Sequence, residues 1–186
     1  MRQLQDARDT RRIADRLAQV TYRTAFTDDD RAFIGRCAML CVATADADGV
    51  PDCSYKGGLP GFVRIIDGHS LAIPDYDGNG QYRTWGNALV NPHVGLLFLD
   101  FERAKRLRVN GTATIDASDP MLAEFPGAVF LVRVTVEHIF PNCPRYMHTM
   151  QMVEHSQYAP RAEYTPPAPE WKTRDTFRDA LPERDR

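Results

Sequence analysis

Apolar residues recur at helical spacing in the first part of the chain and at strand spacing from Met39 onward. Leu4, Ala7, Ile13, Leu17 and Val20 share one side of a helix whose other side is charged, which predicts a helix over residues 4–20. Thr27 is followed by three aspartates and then Ala32, Phe33 and Ile34. That pattern is a helix start: Asp30 stands where a capping box needs an acceptor, and acids suit the positive end of the dipole.

The strand period begins with an apolar run over residues 39–45, closed by the turn Asp46-Ala47-Asp48-Gly49. Residues 50–56 then alternate, with Asp52, Ser54 and Lys56 on one face and Cys53 and Tyr55 on the other. A second hairpin is predicted from residues 62–66 and 70–73 around Asp67-Gly68. Residues 75–80 read as a loop, and 81–90 as a helix stopped by Asn91-Pro92. Residues 94–99 are apolar on both faces, which marks a central or interface strand. In the next strand Leu107, Val109, Ala113 and Ile115 point one way, while Arg106, Arg108, Asn110, Thr112 and Thr114 point the other. Residues 128–139 form a long last strand, after a short helix begun by Ser118-Asp119-Pro120.

Six to seven closely spaced strands with one inserted helix predict a mainly β domain with minor α, an antiparallel barrel or sandwich with flanking helices. Residues 1–38 are a helical lead-in, 39–140 the β core, and 141–186 a polar, proline-rich arm packed on the barrel or on a partner. Within the arm, Pro144 begins a short helix, and residues 173–180 form a last one.

Composition narrows the classes. In 186 residues the net charge is -2, so no global basic field supports nucleic-acid or anionic-membrane binding. The first 20 residues lack the apolar core of a signal peptide, and no run is long enough to span a bilayer. The four cysteines, 37, 41, 53 and 143, match no zinc spacing and read as reduced thiols of a cytoplasmic protein, with no metal site.

Three clusters carry candidate chemistry. Lys56 ends a strand beside Gly57-Gly58, whose amides are placed to meet an anion; a surface lysine at a turn explains the same residues. Gly78 and Gly80 allow close approach of a ligand, and Arg83, in the first turn of the following helix, opposes the dipole unless it meets a negative group. Arg106 and Arg108 share a strand face that suits an anion or solvent equally. A fourth segment, Cys143 to His148, offers a Cys/His pair without a third orienting group, and Gly-x-Ser-x-Gly and Gly-x-Gly-x-x-Gly are both absent.

The order of these clusters resembles the pyridoxamine 5'-phosphate oxidase-related FMN-binding split barrels, in an uncharacterised bacterial branch. The likeness is carried by Gly49-Val50-Pro51, Ser54-Tyr55-Lys56-Gly57-Gly58, the glycine loop, the helix ending in Asn91-Pro92, and Arg108 to Gly111. The tail Asn142-Cys143-Pro144-Arg145-Tyr146-Met147-His148 and Trp171-Lys172 are similar to the same branch.

The resemblance implies a split β-barrel that binds FMN at the interface of a homodimer and works as an oxidoreductase on a small molecule. It assigns Ser54, Tyr55 and Lys56 to the strand beside the flavin, and Pro74, Asp75, Asn79 and Gly80 to its ring edge. Tyr82 and Arg83 take the place of a basic pair on the phosphate, with Asn87, Arg106 and Arg108 as further contacts. Ser54 and Tyr82 replace cations of the vitamin-B6 oxidases, and Arg145-x-x-His148 departs from their Arg-x-His substrate motif. Arg145, Tyr146 and His148 are the substrate-side candidates. The alternatives are a flavin-binding module without turnover, a deazaflavin protein, and a heme protein using His138, His148 or His155.

Overall fold

The computed structural model describes residues 1–185. Seven strands form one antiparallel sheet in the order β2-β1-β5-β6-β7-β4-β3. They are β1 (Met39–Ala45), β2 (Pro51–Gly57), β3 (Arg64–Ile65), β4 (Ser70–Tyr76), β5 (His93–Asp100), β6 (Lys105–Asp116) and β7 (Ala128–Pro141). The terminal strands β2 and β3 do not pair with each other, so the fold is a split barrel rather than a closed one. Phe98, Leu40, Leu71, Ile73, Leu96 and Ile139 fill its interior and are all but inaccessible to solvent.

Five α-helices accompany the sheet among the described residues. They are α1 (Arg2–Ala7), α2 (Arg11–Thr21), α3 (Asp28–Ile34), α4 (Arg83–Val90) and α5 (Asp175–Arg178). The short helix expected after Ser118 is a 3-10 helix over Pro120–Glu124. Helix α4 packs on β1, β2 and β6 and plugs the barrel with Trp85 and Ala88. No helix among the described residues is long and apolar enough to cross a membrane.

Most predicted elements are present, and the departures have physical causes. The N-terminal helix is two helices, because Asp9 adopts φ 52, a left-handed conformation no helix continues through. β4 runs on through Asp75 and Tyr76, which sequence alone assigns to a loop, because β7 supplies ladder partners as far as Ala128, across a bulge. The strand expected over 62–66 shrinks to Arg64–Ile65, and the last helix to Asp175–Arg178. Pro144 starts no helix: the segment makes one turn, with Met147 N–H donating to the Pro144 carbonyl at 2.8 Å. Helix α4 starts at Arg83, two residues later than expected, because Tyr82 is left-handed (φ 49).

The capping box at Thr27 is complete, and it is anchored from outside the helix. The Thr27 amide and hydroxyl both donate to Asp30 Oδ2 at 2.9 Å, and the Arg23 guanidinium makes a forked contact with the same carboxylate. Burial alone would push the Asp30 carboxyl up, but the bonds from Arg23 and Thr27 outweigh it and hold its pKa below the usual carboxylate range. A depressed folded-state pKa stabilises the fold above the unfolded value and is lost as pH falls. The urea midpoint is therefore expected to drop as pH is lowered below ~4, and to drop less in Asp30→Asn. Parallel pH dependence in both proteins would remove Asp30 as the cause.

Candidate functional site

The predicted residues divide between two faces of the sheet. On β2, Asp52, Ser54 and Lys56 turn toward the barrel interior, while Cys53 and Tyr55 point outward. The inward side faces an open cleft of about 220 Å³ at the split between β2 and β4. Lys56, Asp75, Asn79, Gly80, Tyr82 and Arg83 line it, together with Ser54 and Asp52. Arg106 and Arg108 flank Leu107, whose side chain is in the core, so they lie on the outer face, away from this cleft. Pro74, adjacent in sequence to two core-facing residues, turns with Ala72 toward the opposite side of β4.

At the centre of the cleft sits a buried carboxylate that sequence reasoning placed at a loop edge. Asp75 is 5% exposed; its Oδ1 accepts from the Trp85 indole at 2.6 Å and faces Lys56 Nζ at 3.5 Å. Lys56 Nζ also lies 4.9 Å from the Trp85 ring centre. One ammonium thus bridges the split from β2 to β4 and stacks on a residue of α4. Trp85 escaped the sequence reading as a site residue, although a helix-face tryptophan downstream of an acid is the pairing that a buried indole N–H needs.

The rim is built by the loop before α4. Gly80 adopts φ +75 with open space around it, so glycine there serves the turn. Asn79 Oδ1 accepts from the Gln81 amide at 3.0 Å, which orients the loop. No side chain caps α4, whose N-cap Tyr82 is left-handed, so its first amides face the cleft uncapped. Arg83 is exposed, with no ion pair among the described residues. Deeper in, Thr84 Oγ1 donates to Asp52 Oδ2 at 3.2 Å and Asn87 Nδ2 to Thr44 Oγ1 at 3.3 Å, so Asn87 braces α4 on β1.

Gly57-Gly58 serves packing rather than anion binding. The Gly58 amide donates to the Ala38 carbonyl at 2.9 Å, and a Cβ at Gly58 would stand 2.6 Å from the Phe62 side chain. Arg145, Tyr146 and His148 are exposed on the arm, and none of them lines the cleft. Arg106 donates to the Cys143 carbonyl, while its buried Nε has no partner. Arg108 lies over Phe140 at 5.9 Å. His138 packs edge-on against Tyr22. All four cysteines are free thiols; burial pushes Cys37 up to about 12 and raises Cys41, with Cys53 nearby adding to the latter.

An antiparallel split barrel with a polar cleft at its seam and one helix packed across β1, β2 and β6 defines the structural class of the chain. The family model described as pyridoxamine 5'-phosphate oxidase matches residues 26–143, and the chain belongs to that family. Among solved structures, a provisionally assigned pyridoxamine 5'-phosphate oxidase from Lactobacillus delbrueckii is 25% identical. The match covers 65% of this chain and 99% of that one, with a TM-score of 0.52. HupZ from Group A Streptococcus is 22% identical over 68% of this chain and 99% of that one, with a TM-score of 0.51, a likeness of fold. No curated protein matches the chain.

Proposed function

We propose that this protein is an FMN-dependent oxidoreductase acting on a small organic molecule, with the cofactor in the cleft at the seam and a second copy of the chain completing the site. The observation that carries the reading is the uncapped start of α4 beside an unpaired Arg83, at the mouth of a cleft walled by Trp85, Tyr76 and Tyr82. Free amides at a helix N-terminus, one cation and a nearby hydroxyl, Ser54, form a donor set that fits a phosphate. Aromatic walls fit a planar ring. Lys56 already has Asp75 as its counter-charge, so Arg83 is the cation left for the phosphate.

The cleft supports a two-subunit site by its size. At about 220 Å³ it falls below the roughly 300–1,000 Å³ of pockets that enclose a cofactor by themselves. The outer sheet face offers half-exposed Leu97 and Leu99 next to exposed Tyr55, an apolar strip for a partner. Bound flavin would supply hydride chemistry at its ring. The chain's own residues would bind and orient it: Arg83 and the α4 amides would hold the phosphate, Trp85 and Tyr82 would contact the ring, and the Lys56–Asp75 pair would set the local charge.

The test is release and mass identification of the chromophore from purified protein, followed by reduction assays with NADH and NADPH. FMN is the expected product; a colourless protein that takes up no added FMN overturns the proposal, and a deazaflavin mass or a Soret band would redirect it. Turnover without a reducible flavin would overturn it equally. Arg83→Ala is expected to weaken FMN binding on the order of tenfold, read by fluorescence titration of the stripped protein. Unchanged affinity would take the phosphate away from Arg83.

A further inference from the structure

The C-terminal arm builds a second, larger cavity against the same loop that rims the cleft. It encloses about 980 Å³ between residues 76–79, Gly127 and the arm from Tyr158 to Thr173. Tyr76, Gly78 and Asn79 belong to both walls, so the chamber and the cleft lie on either side of one loop. Resting on the reading that the cleft holds a cofactor, we infer that this chamber is the substrate side of the site and that it takes an uncharged planar ring, not a phosphorylated or carboxylated one.

The wall chemistry carries the inference. Tyr76, Tyr158, Tyr164 and Trp171 present aromatic surface, and the prolines around Tyr164 add flat apolar walls that lose little entropy when a ring docks. The charges argue against an anion. Among the described lining residues, Asp77, Glu163 and Asp185 are three carboxylates, and Arg161 and Lys172 are two cations. Of the two, Lys172 is held by carboxylates. Lys172 Nζ binds Asp77 at 2.7 Å and Asp185 at 2.9 Å with only a tenth of its side chain exposed. Arg161 stacks on the Tyr164 ring at 4.0 Å. An entering phosphate would meet three carboxylates against two cations, one of them, Arg161, lying over the Tyr164 ring, and the net negative wall disfavours it.

The Lys172 contacts also join the walls of the chamber. One ammonium ties the arm to Asp77 on the rim loop and to Asp185 near the chain end, while Tyr164 OH donates to the Gln157 carbonyl at 3.0 Å. Arg145, Tyr146 and His148 contribute nothing to this wall. The substrate side thus falls later in the arm than the family motif implies.

Isothermal titration of the purified protein with 2-naphthol and with 2-naphthalenesulfonate separates ring from charge, because the two share one ring system. Pyridoxine 5'-phosphate is the third probe. The expected result is saturable 2-naphthol binding, at least tenfold weaker binding of the sulfonate and the phosphate, and at least tenfold loss of 2-naphthol affinity in a Tyr158→Ala/Tyr164→Ala variant. Quenching of tryptophan fluorescence by 2-naphthol should disappear in Trp171→Phe, which places the ring in the chamber. Equal or tighter binding of either anion, or unchanged affinity in the double variant, overturns the inference. The same titrations on protein stripped of cofactor keep this outcome separate from the cofactor question: selective binding that persists there, in a protein that yielded no FMN on purification and takes up none when it is added, sinks the flavin reading and leaves the chamber's selectivity standing.

Discussion

Gly111→Ala is expected to cost about 3 kcal/mol of stability, enough to shift the urea midpoint visibly and to leave a much smaller folded fraction at elevated temperature. Gly111 lies in the middle of β6, where the ladder to β7 slips by one residue: Asn110 pairs with His138, but Gly111 pairs with Val136. The slip draws the two backbones together. A Cβ built on Gly111 would run into the Thr135 carbonyl oxygen, with the Thr135 carbonyl carbon at 3.0 Å and Val134 Cγ1 at 3.1 Å. The obstruction is backbone in the most extensively paired part of the sheet, so no side-chain rotation relieves it. The needed measurement is equilibrium unfolding of Gly111→Ala beside Gly49→Ala. Gly49, unlike Gly111, has a positive φ, and nothing lies within 4 Å of its missing Cβ, so its cost is one of backbone strain alone. If Gly111→Ala loses no more than Gly49→Ala, the close approach at the bulge does not constrain the sheet.

Such a position shows where a single sequence stops being legible. Alternation placed Leu107, Val109, Ala113 and Ile115 on one face and the arginines on the other, and the burial along β6 agrees. Period-2 patterning reads well because it reports which side of a strand meets the core. Gly111 was visible only as part of a family-like motif; that it faces a carbonyl across a bulge depends on the register of β7, some 25 residues away in sequence. The same limit explains Asp75. Its neighbours Asp77, Gly78 and Gly80 gave the segment loop composition, and only the ladder to β7 draws it into β4. Local capping was legible at Thr27, where donor and acceptor are three residues apart. The arm was readable as polar and proline-rich, but not the chamber, because its walls come from residues near 76, 127 and 158–173.

The Lys56–Asp75 pair yields the second large effect and ties the fold to the cleft. Lys56→Met keeps the length of the side chain and removes its charge, leaving the buried Asp75 carboxylate with the Trp85 indole as its one hydrogen-bond donor among the described residues. Removing one member of a buried pair costs more than the pair contributes, because the remaining charge is left in a poorly solvating site. Lys56 keeps about a fifth of its side chain exposed and sits at 3.5 Å rather than in close contact. The expected loss is therefore about 2 kcal/mol, below the range for fully buried pairs. The diagnostic partner is Lys56→Met/Asp75→Asn. If the cost is an uncompensated charge, neutralising Asp75 restores most of the lost stability, and the double variant is more stable than Lys56→Met alone. If the two losses add, Lys56 acts through its packing on Trp85 and not through Asp75. The functional consequence follows from the same bond. Lys56 lies on edge strand β2, and its link to β4 fixes the width of the seam. Both variants lack that bond, so a seam held by it, or a direct contact of Lys56 with a bound group, should lower cofactor retention in both even where stability is restored in the second. Retention that recovers in the double variant would instead assign the loss in Lys56→Met to the uncompensated Asp75 charge.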